Sequence, residues 1–323
     1  MRRMEPGTGY RWIRRGTART GHSVRRRWRG YRRAWIAREP EARRFRRYHR
    51  LDDAAWRRVL LDSVHGNSTL PMPGFPPPAL QTGFIGSSNR DAINEAWTFY
   101  RLMADLRDRY GVPLGPDAQV LDFGCGWGRF ARMFLRDVPE GSIWCADSLE
   151  LALTTCRETG VPGRMVPLDH MPPSTLPSGR FDTAFAYSVF SHLSPKAHAA
   201  WEEEFARVMK PGGLVFVTTQ GRWFVDSCQE FRDHPDRITS VWHEHLAASF
   251  VDRDGSLERY DSGEFLYEET GGGPSLPGEF YGEAVVPRQY FEEQWGRHFE
   301  LLEFIADRSR CPQAVAVLRA RPA

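Results

Sequence analysis

Asp122, Gly124, Cys125, Gly126 and Gly128 stand within ten residues of one another, in Val120-Leu121-Asp122-Phe123-Gly124-Cys125-Gly126-Trp127-Gly128-Arg129. The pattern reads as a buried strand that ends in an acid, turns through three alternating glycines and enters a helix. Without Cβ atoms such a turn lets a ligand approach the backbone closely. The N–H groups at the helix start are then free to bind it. A second strand, Gly141 to Asp147, also ends in an acid. An acid-tipped strand following a glycine turn is the signature of a nucleotide-type site. The spacing is G-x-G-x-G, one residue short of the dinucleotide fingerprint G-x-G-x-x-G, whose third glycine serves close helix–strand packing. A loop beside an acid, with exposed carbonyls as well as N–H groups, suits a zwitterion better than a pyrophosphate.

These residues need a scaffold, and the hydrophobic pattern supplies one. A helix is expected over 51–64, then Pro71, Pro73 and Pro76–Pro78 break the chain. From 90 to 110, Ile93, Trp97, Tyr100, Leu102 and Leu106 fall near helical spacing. Strand 119–123 leads through the glycines to a helix carrying Phe130, Met133 and Phe134. Strand 142–146, helix 149–159, a short strand at 164–168, strand 181–187 and helix 195–209 follow. Lys210-Pro211-Gly212-Gly213 ends that helix, and strand 214–219 is apolar and β-branched, as one covered on both faces is. About 65 residues, 221–286, intervene before two last strands, 299–305 and 314–319, expected as an antiparallel edge pair.

The chain of 323 residues carries a net charge of +3, but residues 1–50 hold eighteen arginines and three glutamates. That head therefore has about +15, and the remainder about −12. Within it Val24, Trp28, Tyr31 and Trp35 form a helical stripe. Such a stripe fits an anionic membrane surface or nucleic acid, and equally a loose basic tail. The five cysteines contain no C-x-x-C pair, and no apolar run approaches a membrane span. The N-terminus lacks the apolar core of a secretory signal. A cytoplasmic protein is expected, with peripheral attachment to a membrane left open.

The Asp122-to-Gly128 segment resembles the first motif of class I S-adenosylmethionine-dependent methyltransferases. Three more segments share the resemblance: Leu168-Asp169, the stretch Ala186-Tyr187-Ser188-Val189-Phe190-Ser191-His192-Leu193, and Met209-Lys210-Pro211-Gly212-Gly213. It covers about residues 80–320. It implies an α/β, Rossmann-like, doubly wound and mostly parallel seven-stranded sheet with a C-terminal antiparallel pair, preceded here by a helical extension. It also implies S-adenosyl-L-methionine as cofactor. By this resemblance Gly124, Cys125, Gly126 and Gly128 surround the methionine portion, and Asp122 steadies the loop or the ammonium. Asp147, with Ser148 beside it, accepts the ribose hydroxyls. Asp169 accepts from the adenine amine, His170 and Met171 flank the ring, and Ser188 lines the methyl-transfer centre. The S-V-F-S-H-L run, with Tyr281-Gly282 and Gln313, is similar to a bacterial subgroup found in glycan and secondary-metabolite biosynthesis.

Methyl transfer needs alignment and, for a hydroxyl acceptor, a base. His192 follows the fourth strand and is the first candidate; His243 in the long insertion is the second, if that segment closes as a lid. No metal is expected: His243 and His245 are two apart and face different ways on a helix. The fourth-strand exit lacks the N/D-P-P-Y/F of base-amine methylation. A small-molecule or saccharide acceptor, methylated on oxygen, is therefore expected. Two alternatives remain open: an RNA- or ribosome-associated methyltransferase recruited by the basic head, and a non-catalytic binding protein. The expected organisation is a basic extension over 1–50, a helix and proline-rich linker over 51–80, and a methyltransferase domain over 81–323 with a substrate lid at 221–286.

Overall fold

Short apolar runs separated by amphipathic ones dictate the architecture of the computed structural model, which describes residues 41–272 and 275–322. The stripe expected at Val24, Trp28, Tyr31 and Trp35 lies outside those residues. Strands β1 (Val120–Phe123), β2 (Ile143–Asp147), β3 (Arg164–Pro167), β4 (Phe181–Ala186) and β5 (Met209–Thr219) run parallel. A separate antiparallel pair is made by β6 (Leu266–Glu268) and β7 (Glu283–Val285). The last two, β8 (Phe299–Ile305) and β9 (Ala314–Ala320), return antiparallel, with β9 pairing to β5 from Leu214↔Arg319 to Thr219↔Ala314. The seven-stranded order is β3-β2-β1-β4-β5-β9-β8. This is the Rossmann-like sheet with a terminal antiparallel pair that the sequence implies. Its strand order reverses between β1 and β4, so the carboxyl ends of β1, β2 and β4 open onto one crevice.

Helices α1 (Glu41–His49), α2 (Asp53–Ser63), α3 (Pro78–Ile85) and α4 (Asn89–Arg109) precede the sheet. Asp52 caps α2 by accepting from the Ala55 N–H at 2.8 Å. Tyr48, Trp56 and Leu60 are buried with Phe99, Tyr100 and Met103 of α4 in the core on one face of the sheet. The other face is covered by α6 (Pro195–Val208), through Trp201 and Phe205, while α5 (Glu150–Thr159) links β2 to β3. The long segment after β5 has structure of its own. It forms α7 (Trp223–Asp233), α8 (Val241–Ala248) and α9 (Arg253–Asp261), which with β6 and β7 enclose a small core containing Phe224, Val225, Cys228 and Leu246. A short α10 (Arg288–Glu293) leads to β8. No described helix is long and apolar enough to cross a membrane.

One expected element is absent. The segment through Phe130, Met133 and Phe134 is not an α-helix but a run of turns closing with a single 3-10 turn at Phe134–Arg136. Its side chains explain why. Residues 129–136 are all buried, so there is no polar face for a helix to present. Its carbonyls are also captured from outside: the Trp56 indole N–H donates to Met133 O at 3.0 Å, and His49 Nδ1 lies 3.1 Å from Arg136 O. The backbone falls back on i to i+3 bonds, such as Met133 N–H to Phe130 O at 2.8 Å.

Trp56 thus fills the core and holds the segment behind the glycine loop. Trp56→Ala is expected to cost about 3–5 kcal/mol, read as a lower urea midpoint, whereas a change below about 1 kcal/mol would mean that α2 is docked by other contacts.

Candidate functional site

In β1 and β2, Phe123 lies opposite Ala146, and the ladder runs on into the loop. Gly124 and Cys125 both donate their N–H to Ala146 O, at 2.8 and 3.1 Å. The chain then turns with φ of +74° at Gly124, +53° at Gly126 and +76° at Gly128. A Cβ at Gly124 would overlap Val189 Cγ2, and one at Gly128 would lie 2.5 and 2.8 Å from the Val161 methyls. At Gly126 the nearest atom is Phe84 Cδ1, 3.9 Å away. The outer glycines are therefore wedged between side chains, while the middle one faces open space under α3.

Two buried acids flank this loop. Asp147, at the end of β2, takes the Gly126 N–H on Oδ2 and the Leu149 N–H on Oδ1, both at 2.8 Å. Burial raises its pKa to about 6 against the pull of those donors. Asp122 is 2% exposed, and its Oδ2 has no partner among the described residues. Burial, then the neighbouring Asp147, push it up to about 8; Arg129 and the Ala131 backbone oppose that shift. The Arg129 guanidinium contacts Glu95 at 3.1 Å and lies over the Tyr187 ring, 4.9 Å from its centroid. The site therefore presents a backbone cradle open at Gly126 and an orphaned carboxylate oxygen beside it. It also keeps an Asp147 carboxylate whose oxygens each retain a lone pair. These groups fit an amino-acid ammonium and hydroxyl donors.

The exit of β4 borders the same cradle. Ser188 sits at φ +57°. Its N–H donates to Thr218 Oγ1 at 2.7 Å, and its Oγ accepts from Gln313 Nε2 at 3.1 Å. The Thr218 hydroxyl donates to Gln313 Oε1 at 2.5 Å, so β4, β5 and the approach to β9 together fix this turn. Val189, which abuts Gly124, accepts the His192 N–H at 2.9 Å. His192 Nδ1 lies 2.9 Å from Gly282 O, and its ring stacks on Tyr281 at 4.7 Å and 11°. A carbonyl only accepts, so Nδ1 carries the proton and Nε2 of the neutral ring has a free lone pair.

Segment 120–213 matches the family model of a methyltransferase domain. The chain carries a class I methyltransferase domain. S-adenosylmethionine is its cofactor. Similar solved structures include 1,6-didemethyltoxoflavin-N1-methyltransferase of Burkholderia thailandensis, at 16% identity over 77% of this chain and 94% of that one, with a TM-score of 0.45. An S-adenosylmethionine-dependent methyltransferase of Methanosarcina mazei matches at 15% identity over 68% and 98%, with a TM-score of 0.43. Another from Clostridium acetobutylicum matches at 10% identity over 70% and 92%, with a TM-score of 0.44.

The remaining expected residues of the methyltransferase domain fall at varied distances from the cradle. Leu168 donates its N–H to Asp147 O at 3.0 Å, which brings the exposed Asp169 to the end of β2. The His170 ring stacks on Phe280 at 4.5 Å, and its carbonyl accepts from Trp201 Nε1 at 2.9 Å. Met171 packs on the same core, and Ser148 is half-buried next to Asp147. His243 stands apart from His192: its ring stacks on Phe231 at 4.6 Å, and Nδ1 accepts the Thr239 N–H at 3.2 Å. Its neighbour Trp242 instead reaches inward, donating Nε1–H to Glu283 Oε1 at 3.0 Å. Sequence reasoning did not single out Glu283, Glu95 or Phe84. For Glu283 a signal exists, a lone acid opening the apolar run Ala284-Val285-Val286.

Asp122 gives a pH prediction. With a folded pKa of about 8, above the ~3.9 of an unfolded aspartate, its contribution to stability is present at low pH and is lost as pH rises to 8. Asp122→Asn removes the charge and is expected to be about 1–3 kcal/mol more stable than wild type at pH 8.5. Thermal melts from pH 6.5 to 8.5 test this, and a variant that falls as steeply as wild type would place the loss elsewhere.

Proposed function

We propose that this methyltransferase acts on a hydroxyl of a small molecule or saccharide, with His192 taking the acceptor proton. The observation that carries this reading is the His192 ring. It is anchored through Nδ1 to Gly282, with Nε2 free, one turn from the Val189 that packs against the glycine loop. A hydroxyl needs such a base; an amine with a free lone pair does not. When bound, S-adenosylmethionine supplies a methyl on a sulfonium, and the C–S pair leaves with sulfur as the acceptor oxygen forms the C–O bond.

The residues divide the work by position. Gly124, Cys125, Gly126 and Gly128 hold the methionine end, and the orphaned Oδ2 of Asp122 receives its ammonium. Asp147, supported by Ser148, accepts from the ribose, and Asp169 with His170 and Met171 borders the adenine. Ser188, fixed by Gln313 and Thr218, shapes the reacting corner. The insertion over 221–286 is a substrate lid, since β7 is hydrogen-bonded to the β4 exit: Ala284 N–H to Ser191 O and Gly282 N–H to His192 O, both at 2.8 Å. In this organisation α1 packs on the catalytic unit through Tyr48 and His49 instead of standing apart as an extension, and His243 braces the lid.

Calorimetric titration with S-adenosylhomocysteine is expected to show one site, with no heat from NADH. Asp147→Ala is expected to weaken that binding about 100-fold, because two charge-assisted bonds to the ligand and the brace on Gly126 are lost together. Asp122→Asn should also bind more weakly even though it is more stable. With methyl-labelled cofactor, label is expected in a small-molecule or saccharide fraction of a cell extract; label confined to RNA would overturn the acceptor class.

A further inference from the structure

We infer that Glu283 is the positioning and charge-compensating partner of His192, so that the insertion supplies half of the acceptor-side proton machinery. This rests on the proposed role of His192. Glu283 is 2% exposed, and its Oε2 lies 3.6 Å from His192 Nδ1 with no hydrogen-bond partner among the described residues. The other oxygen accepts from the Trp242 indole. A buried carboxylate left half-satisfied is costly unless a cation comes to it. Among the described residues Arg232 of α7 is engaged by the Ser249 and Phe250 carbonyls, which leaves His192 as the source of that cation. From β6, Tyr267 donates its hydroxyl to Gly278 O at 2.6 Å, and Glu268, opposite Glu283 in the ladder, accepts the Phe250 N–H at 3.2 Å. From α7 comes the buried Cys228 thiol, which the Glu283 charge pushes further up in pKa. The ring of Tyr281 covers one face of His192. His192 is the titratable base that faces Glu283.

The chemistry balances without another reactant. The acceptor O–H gives its proton to Nε2, the ring becomes an imidazolium, and its positive charge is met by Glu283 behind Nδ1. The Gly282 carbonyl fixes the tautomer, and a carboxylate behind the imidazole, with the working nitrogen turned to the substrate, steadies the charged ring. Glu283 itself touches no substrate. Because it sits in β7 and is gripped by Trp242 of α8, the pair forms only when the insertion is seated on the β4 exit.

Diethylpyrocarbonate acylates an unprotonated imidazole, so its rate against pH reads the protonation of His192 without the acceptor. A His192→Gln protein subtracts the other histidines. Glu283→Gln keeps an acceptor for Trp242 and is expected to move the His192 acylation profile to lower pH, with S-adenosylhomocysteine affinity within about twofold of wild type. An unmoved midpoint, or one moved upward, would overturn the pairing. A second readout needs only the wild type: the imidazole nitrogen spectrum of neutral His192 is expected to show Nδ1 protonated and Nε2 bare, and the opposite tautomer would overturn the pairing too. Failure of the wild type to bind S-adenosylhomocysteine would instead sink the methyltransferase role, while a shifted midpoint would still establish the pair.

Discussion

Everything at the cradle depends on a backbone that three side chains would destroy. Gly124 has Val189 where its Cβ would be, Gly128 has Val161, and both adopt left-handed φ, which L residues avoid. This squeeze fixes the outer two glycines and leaves Gly126 as a half-buried bend with room for a side chain, held in place by its N–H bond to Asp147. The same carboxylate also accepts from Leu149, so one side chain ties the β1 loop to the turn into α5. Binding and folding therefore share an atom group. In the proposed reading the ligand's hydroxyls would share a carboxylate that already maintains the loop.

That arrangement keeps two acids out of water, Asp122 pushed up to about 8 and Asp147 to about 6. Asp122 and Asp147 are both nearly inaccessible, burial pushes both up, and Asp147 raises Asp122 further. Arg129 relieves this partly, but it is shared with Glu95 and spread over the Phe130 and Tyr187 rings. The unpaired oxygen of Asp122 is thus a buried polar atom left without a partner, which is why the proposed reading gives it the ammonium. A site built in this way is less stable empty than its packing would permit, which is the usual price of function in a preorganised cavity.

Much of this was legible beforehand, and the parts that were not share a cause. Strands β1, β2, β4 and β5 show as apolar runs because both their faces are covered, and β8 and β9 because an edge pair still packs one face. The acids at Asp122 and Asp147 were legible because they end such runs. The segment after the glycines misled, since Phe130, Met133 and Phe134 have helical spacing. The spacing was real, but Trp56 and His49, more than seventy residues earlier, take the carbonyls a helix would need. Glu283 was hidden for the same reason. Its neighbours in sequence are apolar, and its meaning comes from His192 and Trp242, which only the folded insertion brings beside it. Local pattern reveals what a segment can form; the groups that compete for its polar atoms come from elsewhere in the chain.

The insertion then changes how the two halves of the site relate. The cofactor side is built from β1 and β2 and their turns, elements joined by a continuous parallel ladder. The proposed acceptor side hangs on the β4 exit, where Ser194 donates to Phe280 O and Gly282 and Ala284 donate back to His192 O and Ser191 O. Those bonds make β7 an extension of the exit loop, although ninety residues separate them. An excursion that returns to pair with the loop it left can vary its outer helices without disturbing the glycine cradle. The constraint on such variation is narrow: the residue after Gly282 must remain able to face the imidazole. Variation in α8 is bounded as well, since its Trp242 is bonded to Glu283, while Asp147 holds the glycine loop independently of the insertion.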